Sequence, residues 1–284
     1  MLKIMKSRFI FCSLLLAVMA TGLVTAKPAQ ALLITQTYIF IGPNDGSAVL
    51  RAKNMNPDRR AYRVRWEEVM MLQNGTRDVL DSLEAANAVA NLMPASPYLY
   101  VAPRRMMVQP DDVQSIRIML RRTQSLQDGE YRSYITFSPE TLPKSEDLDQ
   151  SLRSNTAGAS IDFLTGIRIP VFFLHGNTTL DVSFRDVRFG VNENGRNVLY
   201  YTLIREGNRS ALGDIEVNCN GAEGIRNISR VPVRVFTELS QRSSNFGYDP
   251  SRLEGCDQVT IGFMPHQQDP SYTGMPMGVQ PINF

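Results

Sequence analysis

The sequence predicts an all-β protein built as two antiparallel β-sandwiches in tandem. Three observations predict it. Short apolar-alternating runs recur along most of the chain, clusters of Gly, Pro, Asn and Asp separate them at fairly regular intervals, and convincing helical spacing occurs once. Strands of this length joined by short turns belong to sandwiches.

Residues 1–31 stand apart. Lys3, Lys6 and Arg8 precede an apolar run over residues 9–24, and Ala29-Gln30-Ala31 follows. This pattern predicts a secretory signal cleaved after Ala31; a membrane anchor would favour about 20 apolar residues and has no use for the small-residue site. The segment carries four of the 30 Lys and Arg and none of the 28 Asp and Glu, so its loss turns the net charge from +2 to −2. Nothing in that balance asks for nucleic acid or a membrane surface. Cys219 and Cys256 remain, and two cysteines in an exported chain read as one disulfide, worth about 4 kcal/mol by loop entropy. The other reading is a pair of buried thiols.

The elements follow in order. Residues 33–41 read as a strand, closed by the turn Gly42-Pro43-Asn44-Asp45-Gly46, and residues 47–54 as a second, leading to Asn56-Pro57-Asp58. Over residues 62–69 a period of two places Tyr62, Val64 and Trp66 on one face and most charges on the other. The spacing of Leu80, Leu83, Ala86 and Ala90 predicts a helix over residues 79–92, ended by Pro94. Strands resume over residues 98–101, 105–109, 113–120 and 131–137, with turns at Pro110-Asp111-Asp112 and Gln127-Asp128-Gly129. Residues 139–160 are polar and acidic and read as an exposed, mobile loop.

An unusually long strand follows over residues 161–174, with Ile161, Phe163, Thr165, Ile167 and Ile169 on one face. His175-Gly176-Asn177 is the predicted hinge, dividing a first domain, residues 32–176, from a second, residues 177–268. The second series of strands spans residues 180–189, 197–205, 213–218, 231–239 and 258–264. Residues 269–284, rich in Pro and Gly, read as a flexible tail.

The residues do not assemble an enzyme. His175 and His266 are far apart, each beside a turn residue, and read as exposed loop histidines; no metal-ligand spacing and no common hydrolase or nucleotide motif is present. Glu67-Glu68 and Asp111-Asp112 lie on strands or turns where neighbours point to opposite faces, so neither pair can act as acid and base together. No cofactor is expected.

Two segments carry a resemblance. Residues 96–105 (SPYLYVAPRR), Val113-Gln114-Ser115-Ile116-Arg117-Ile118 and Asp128-Gly129-Glu130-Tyr131-Arg132-Ser133, with the Ile-Pro-Val-Phe-Phe and His-Gly ending of residues 167–176, resemble the first domain of PapD-like periplasmic pilus chaperones. Residues 203–214 (LIREGNRSALGD) are similar to a stretch of their second domain. Cys219, Cys256 and the long tail depart from that pattern. The resemblance implies immunoglobulin-like sandwiches arranged in an L with an inter-domain cleft. It implies a periplasmic protein that binds pilin-like subunits and delivers them to an outer-membrane usher, without ATP. The means would be donor-strand complementation, in which the long strand fills a subunit's incomplete sandwich with Ile161, Phe163, Ile167 and Ile169.

Two alternatives stay open on the residues alone: the long strand as an ordinary core strand, and the whole chain as a structural or adhesive pilus component. The family also grips a subunit carboxylate with a basic pair, one residue on its first strand and one on its last. Here Tyr38 and Pro170 stand at those places, and Arg168 and Arg117 are the nearest substitutes.

Overall fold

Alternating apolar residues pair into strands that make their hydrogen bonds within two separate sets. The computed structural model describes residues 32–42, 44–121, 126–141 and 166–283. The predicted signal, most of the predicted acidic loop and the first part of the predicted long strand, with Ile161 and Phe163, lie outside the described residues.

One sheet of the first sandwich runs β1 (Leu32–Ile34), β3 (Ser47–Asn54), β8 (Val113–Leu120), β6 (Leu99–Ala102). The other runs β2 (Ile39–Ile41), β10 (Ile167–His175), β9 (Gly129–Glu140), β4 (Arg60–Met71), β5 (Arg77–Leu80), with β7 (Arg105–Val108) pairing the start of β4. The predicted first strand is thus two strands that belong to opposite sheets. Even-numbered residues of β4, such as Tyr62 and Val64, and odd-numbered residues of β9 and β10, such as Ile135, Phe137, Val171 and Phe173, fill the space between the sheets.

The remaining strands, from Asp181 onward, form the second sandwich. One sheet is β11 (Asp181–Val191), β12 (Asn197–Glu206), β15 (Gln241–Gly247); the other is β14 (Gly224–Val235), β13 (Ala211–Gly221), β16 (Gln258–Pro265), β17 (Met277–Ile282). The β11–β12 hairpin turns where Asn192 and Gly195 predict it. Asn192 Oδ1 accepts from the N–H of Asn194 and of Arg196 at 3.0 Å each, and Gly195 takes a φ of +73°. Cys219 and Cys256 are joined as a disulfide, with Cα atoms 5.4 Å apart. It ties β13 to the segment entering β16.

Three expectations need correction. The helix, α1 (Leu83–Ala88), is only six residues long, capped by Ser82, whose Oγ accepts from the N–H of Ala85 at 3.1 Å. Val79 and Leu80 lie instead in β5, paired with Val69 and Glu68, because a cross-strand partner outweighs weak helical spacing. Pro139 and Glu140 continue β9 rather than open a loop. Finally, the Pro- and Gly-rich end is not a free tail. β17 pairs with β16, its Gly278 passes so close to the Val182 carbonyl that a Cβ would stand 2.3 Å from that oxygen, and Ile282 is 4% exposed against the second core. Pro281 is tolerated because β17 is an edge strand.

Burial of Ile282 makes a stability prediction. Ile282→Ala is expected to lower unfolding stability by about 2–4 kcal/mol in a denaturant titration, the cost of a truncated core residue, where a free tail would give no change.

Candidate functional site

Strand β10 is treated differently along its two halves. Its pairing with β9 is unbroken, from Ile167 opposite Phe137 to His175 opposite Gly129. On its other side β2 pairs with it, in parallel, only from Val171 to Phe173. Among the described residues, the stretch from Ile167 to Pro170 therefore has no strand partner on that side. Pro170, with no N–H to give, sits where no neighbouring strand asks for one.

The hinge half is held on both faces. Val171 and Phe173 point into the first core, while Phe172, on the opposite face, enters the second. The Phe172 ring stacks on Phe40 at 5.1 Å between centroids and lies 6.2 Å from Tyr38 and from Phe236. His266 completes the cluster, edge-on to Tyr38 at 4.9 Å, and burial lowers its pKa. It lies in the loop after β16, as the sequence predicts, but is half-buried against these rings rather than exposed.

The outer faces of β4, β9 and β10 change character along their length. Arg63, Arg65 and Glu67 of β4 give way to Val69 and Met71; Thr136 of β9 gives way to Tyr134; Arg168 of β10 gives way to Phe172. Val69, Met71, Tyr134 and Phe172 belong to the same core as the second sandwich. That change marks where the second sandwich rests.

An ionic joint fixes this contact. Arg132 of β9 has a buried guanidinium that donates from Nη2 to both oxygens of Glu238, at 2.8 and 3.0 Å, and to the Val69 carbonyl at 3.1 Å. It lies over the Phe236 ring, 3.9 Å from the centroid. Burial works against the Arg132 charge, and the Glu238 carboxylate more than offsets it, so its pKa stays above the ordinary value. Glu238 also accepts from the N–H of Met71. Two residues earlier, Glu130 accepts from the N–H of Ser210 at 2.8 Å and from its hydroxyl. On the inward face of β9, the Ser133 hydroxyl donates to Glu68 at 2.8 Å and accepts from the N–H groups of Ala95 and Ser96.

The second segment of the resemblance closes the joint. Asn208 Nδ2 donates to the Asn177 carbonyl at 3.0 Å, its Oδ1 accepts from the N–H of Thr179 at 2.8 Å, and its own carbonyl accepts from the N–H of Glu130 at 3.1 Å. Arg205 holds the loop with four backbone carbonyls, those of Thr237, Leu239, Gly207 and Arg209. At the hinge Gly176 has φ of +59°, and a Cβ there would stand 1.7 Å from Asp128 Oδ1, so only glycine fits.

The sequence-predicted site residues fall in different places. Ile169 is 3% exposed in the first core and is not available to a partner as the structure stands; Ile167 is half-buried beside it. Arg168 is committed to Glu67, with Nη2 and Oε2 2.6 Å apart, on the outer face of its sheet. Arg117 is exposed on the outer face of the opposite sheet, since Ile116 and Ile118 beside it point inward. The two arginines face away from each other across the sandwich, and neither stands beside Tyr38. The cation there is Arg234 of β14, whose Nε donates to the Tyr38 hydroxyl and whose guanidinium carbon lies 5.4 Å from that ring centre. Sequence reasoning missed Arg234 because the pair is 196 positions apart. Its only local signal is the alternation of residues 231–235. Among the described residues no group of three or more His, Cys, Asp or Glu is placed to hold a metal, and no helix is long and apolar enough to cross a membrane.

No protein-family model matches the chain, and no curated protein sequence matches it. Solved structures similar to it include the YadV chaperone, at 10% identity over 88% of this chain and 98% of that one, TM-score 0.45. The E. coli chaperone DraB is similar at 11% identity over 89% and 96%, TM-score 0.44. The class 5 fimbriae chaperone CfaA is similar at 12% identity over 89% and 99%, TM-score 0.43. The likeness is one of fold.

One prediction tests the joint and a second the buried carboxylate of Glu68 on the inward face. Arg132→Met, which strands the Glu238 carboxylate, is expected to cost about 3–5 kcal/mol in denaturant unfolding, and adding Glu238→Met to recover part of that loss. Burial raises the pKa of Glu68 above its ordinary 4.5, so the folded state holds a proton more tightly than the unfolded chain. Its contribution is complete below 4.5 and is lost as pH rises through the raised value. Unfolding midpoints of Glu68→Gln relative to the parent are accordingly expected to improve from about pH 5 to pH 8; a constant difference would refute the assignment.

Proposed function

We propose that this protein is a periplasmic chaperone that binds pilin-like subunits by lending them the edge of β10, and passes them to an outer-membrane usher. One observation carries the reading: β10 is fully paired on one side and, among the described residues, bare on the other from Ile167 to Pro170, ahead of the hinge. Such an edge offers main-chain groups to an extended segment of another chain, and alternating side chains supply the fit. The two halves of the strand suit the task. The hinge half is clamped between two cores, so the donor edge does not have to be ordered when a subunit arrives.

The sequence supports the reading further upstream. Ile161, Phe163 and Thr165 continue the inward period of Ile167 and Ile169, and a partner would be completed by that apolar register. The proposed boundary between the domains, at residues 176 and 177, coincides with the positive-φ glycine of the hinge. The predicted export signal and the disulfide fit an oxidising compartment. The work is binding, driven by strand addition and apolar burial, and calls for no catalytic group.

The test is co-expression in a periplasm with pilin-like subunits. A soluble one-to-one complex is expected with the parent chain. Phe163→Arg, which sets a charge in an apolar groove at a cost of several kcal/mol if unpaired, is expected to abolish it. Retained complex formation by that variant would reject the donor strand. Ladders of this chain with itself would instead identify a pilus component.

A further inference from the structure

The bare edge of β10 opens beside a stripe of arginines that the proposed function leaves unused. On the outer face of the sheet, Arg168, Thr136 and Arg65 form one cross-strand row over β10, β9 and β4; Ser138, Arg63 and Arg105 form the next over β9, β4 and β7. Four guanidinium groups share two carboxylates. Glu67 reaches across β9 to bridge Arg65, 3.2 Å away, and Arg168, 2.6 Å away. Glu140 bridges Arg63, 2.7 Å away, and Arg105.

Both carboxylates titrate below the ordinary range. Burial works against the charge of Glu67 and Arg168 outweighs it; the hydrogen bond from Arg63, with that from Arg105, lowers Glu140. The bridges thus persist as ion pairs at neutral pH and pin the arginines on a flat β-surface. The arginine side chains remain between 38% and 67% exposed, and each keeps N–H donors facing solvent. An array of pinned guanidinium groups with spare donors is preorganised for anions, because the side-chain ordering is already complete.

Position decides which anions. Arg168 lies within the unpaired stretch, so a strand laid against β10 places its own outward side chains next to Arg168, while its inward ones lie beside Ile167 and Ile169. We infer that the β10 edge selects an extended segment whose inward side chains are apolar and whose outward side chains are acidic, with Arg63, Arg65 and Arg105 steering it to Arg168. This rests on the reading of β10 as a strand acceptor and adds the chemistry of the accepted strand.

The probes are two fluorescent nine-residue peptides, capped at both ends, with Val at odd positions and either Glu or Ser at even positions. Fluorescence anisotropy with the full chain is expected to show the Val-Glu peptide bound about tenfold more tightly than the Val-Ser peptide at about 50 mM NaCl, with the advantage shrinking at about 300 mM. Arg65→Gln with Arg105→Gln is expected to weaken Val-Glu binding several-fold more than Val-Ser binding; circular dichroism checks that the sandwiches persist. Equal affinity for the two peptides at low salt would overturn the acidic preference and leave the strand-acceptor reading in place. Binding of neither peptide would overturn both. Val-Ser binding that survives unchanged in an Arg168→Pro variant, which removes a bare-side N–H and spares the ladder to β9, would place the peptide elsewhere and likewise overturn both.

Discussion

The buried pair of Arg132 and Glu238 is the contact on which the arrangement of the two sandwiches depends. Neither ion has bulk water to fall back on, so each must keep the other, and the pairing through Arg132 Nη2 holds the turn after β14 against β9. Phe236 under the guanidinium and the Met71 N–H on the carboxylate add direction to what would otherwise be a non-directional attraction. A greasy interface alone would let the sandwiches slide. This one has a register.

That register reaches β10 through its neighbour. Because β9 carries Glu130 and Arg132 on its outer face and pairs β10 along its full length, the strand that offers its edge is hydrogen-bonded to the strand that holds the joint. Anything that shifts the second sandwich moves Phe172, and with it the clamped half of β10. Binding and domain placement are in this sense one mechanical unit.

Much of this was legible in the chain, and the exceptions have physical causes. Period-two runs such as that of β4 and Asn-Gly turns such as that before β12 declare themselves, since the constraint is local. The segment around Glu130 and Arg132 and the loop around Asn208 were recognisable by resemblance, but that they form one joint is a contact between residues 80 positions apart. β15 went unseen because Gln241–Gly247 has few large apolar residues: it is held by its ladder to β12 rather than by burial. β17 was hidden by Pro and Gly, which argue against a central strand but not against an edge. The helix was overextended because apolar spacing at Val79 and Leu80 cannot report that β4 lies alongside. As for the site, the end of the long strand, from Ile167, was readable and its one-sided pairing was not; Arg168 and Arg117 lie on opposite outer faces of the sandwich, since proximity along a strand does not tell which sheet faces which.

Pro170 adds a last constraint. A chain zipping along the bare side of β10 can receive no amide proton from that position, and immediately beyond it β2 already occupies the lane. The open track therefore has a terminus built into it. A visiting segment must halt its ladder there, so the length and alignment of what is accommodated are dictated by an imino acid, independent of how its side chains fit.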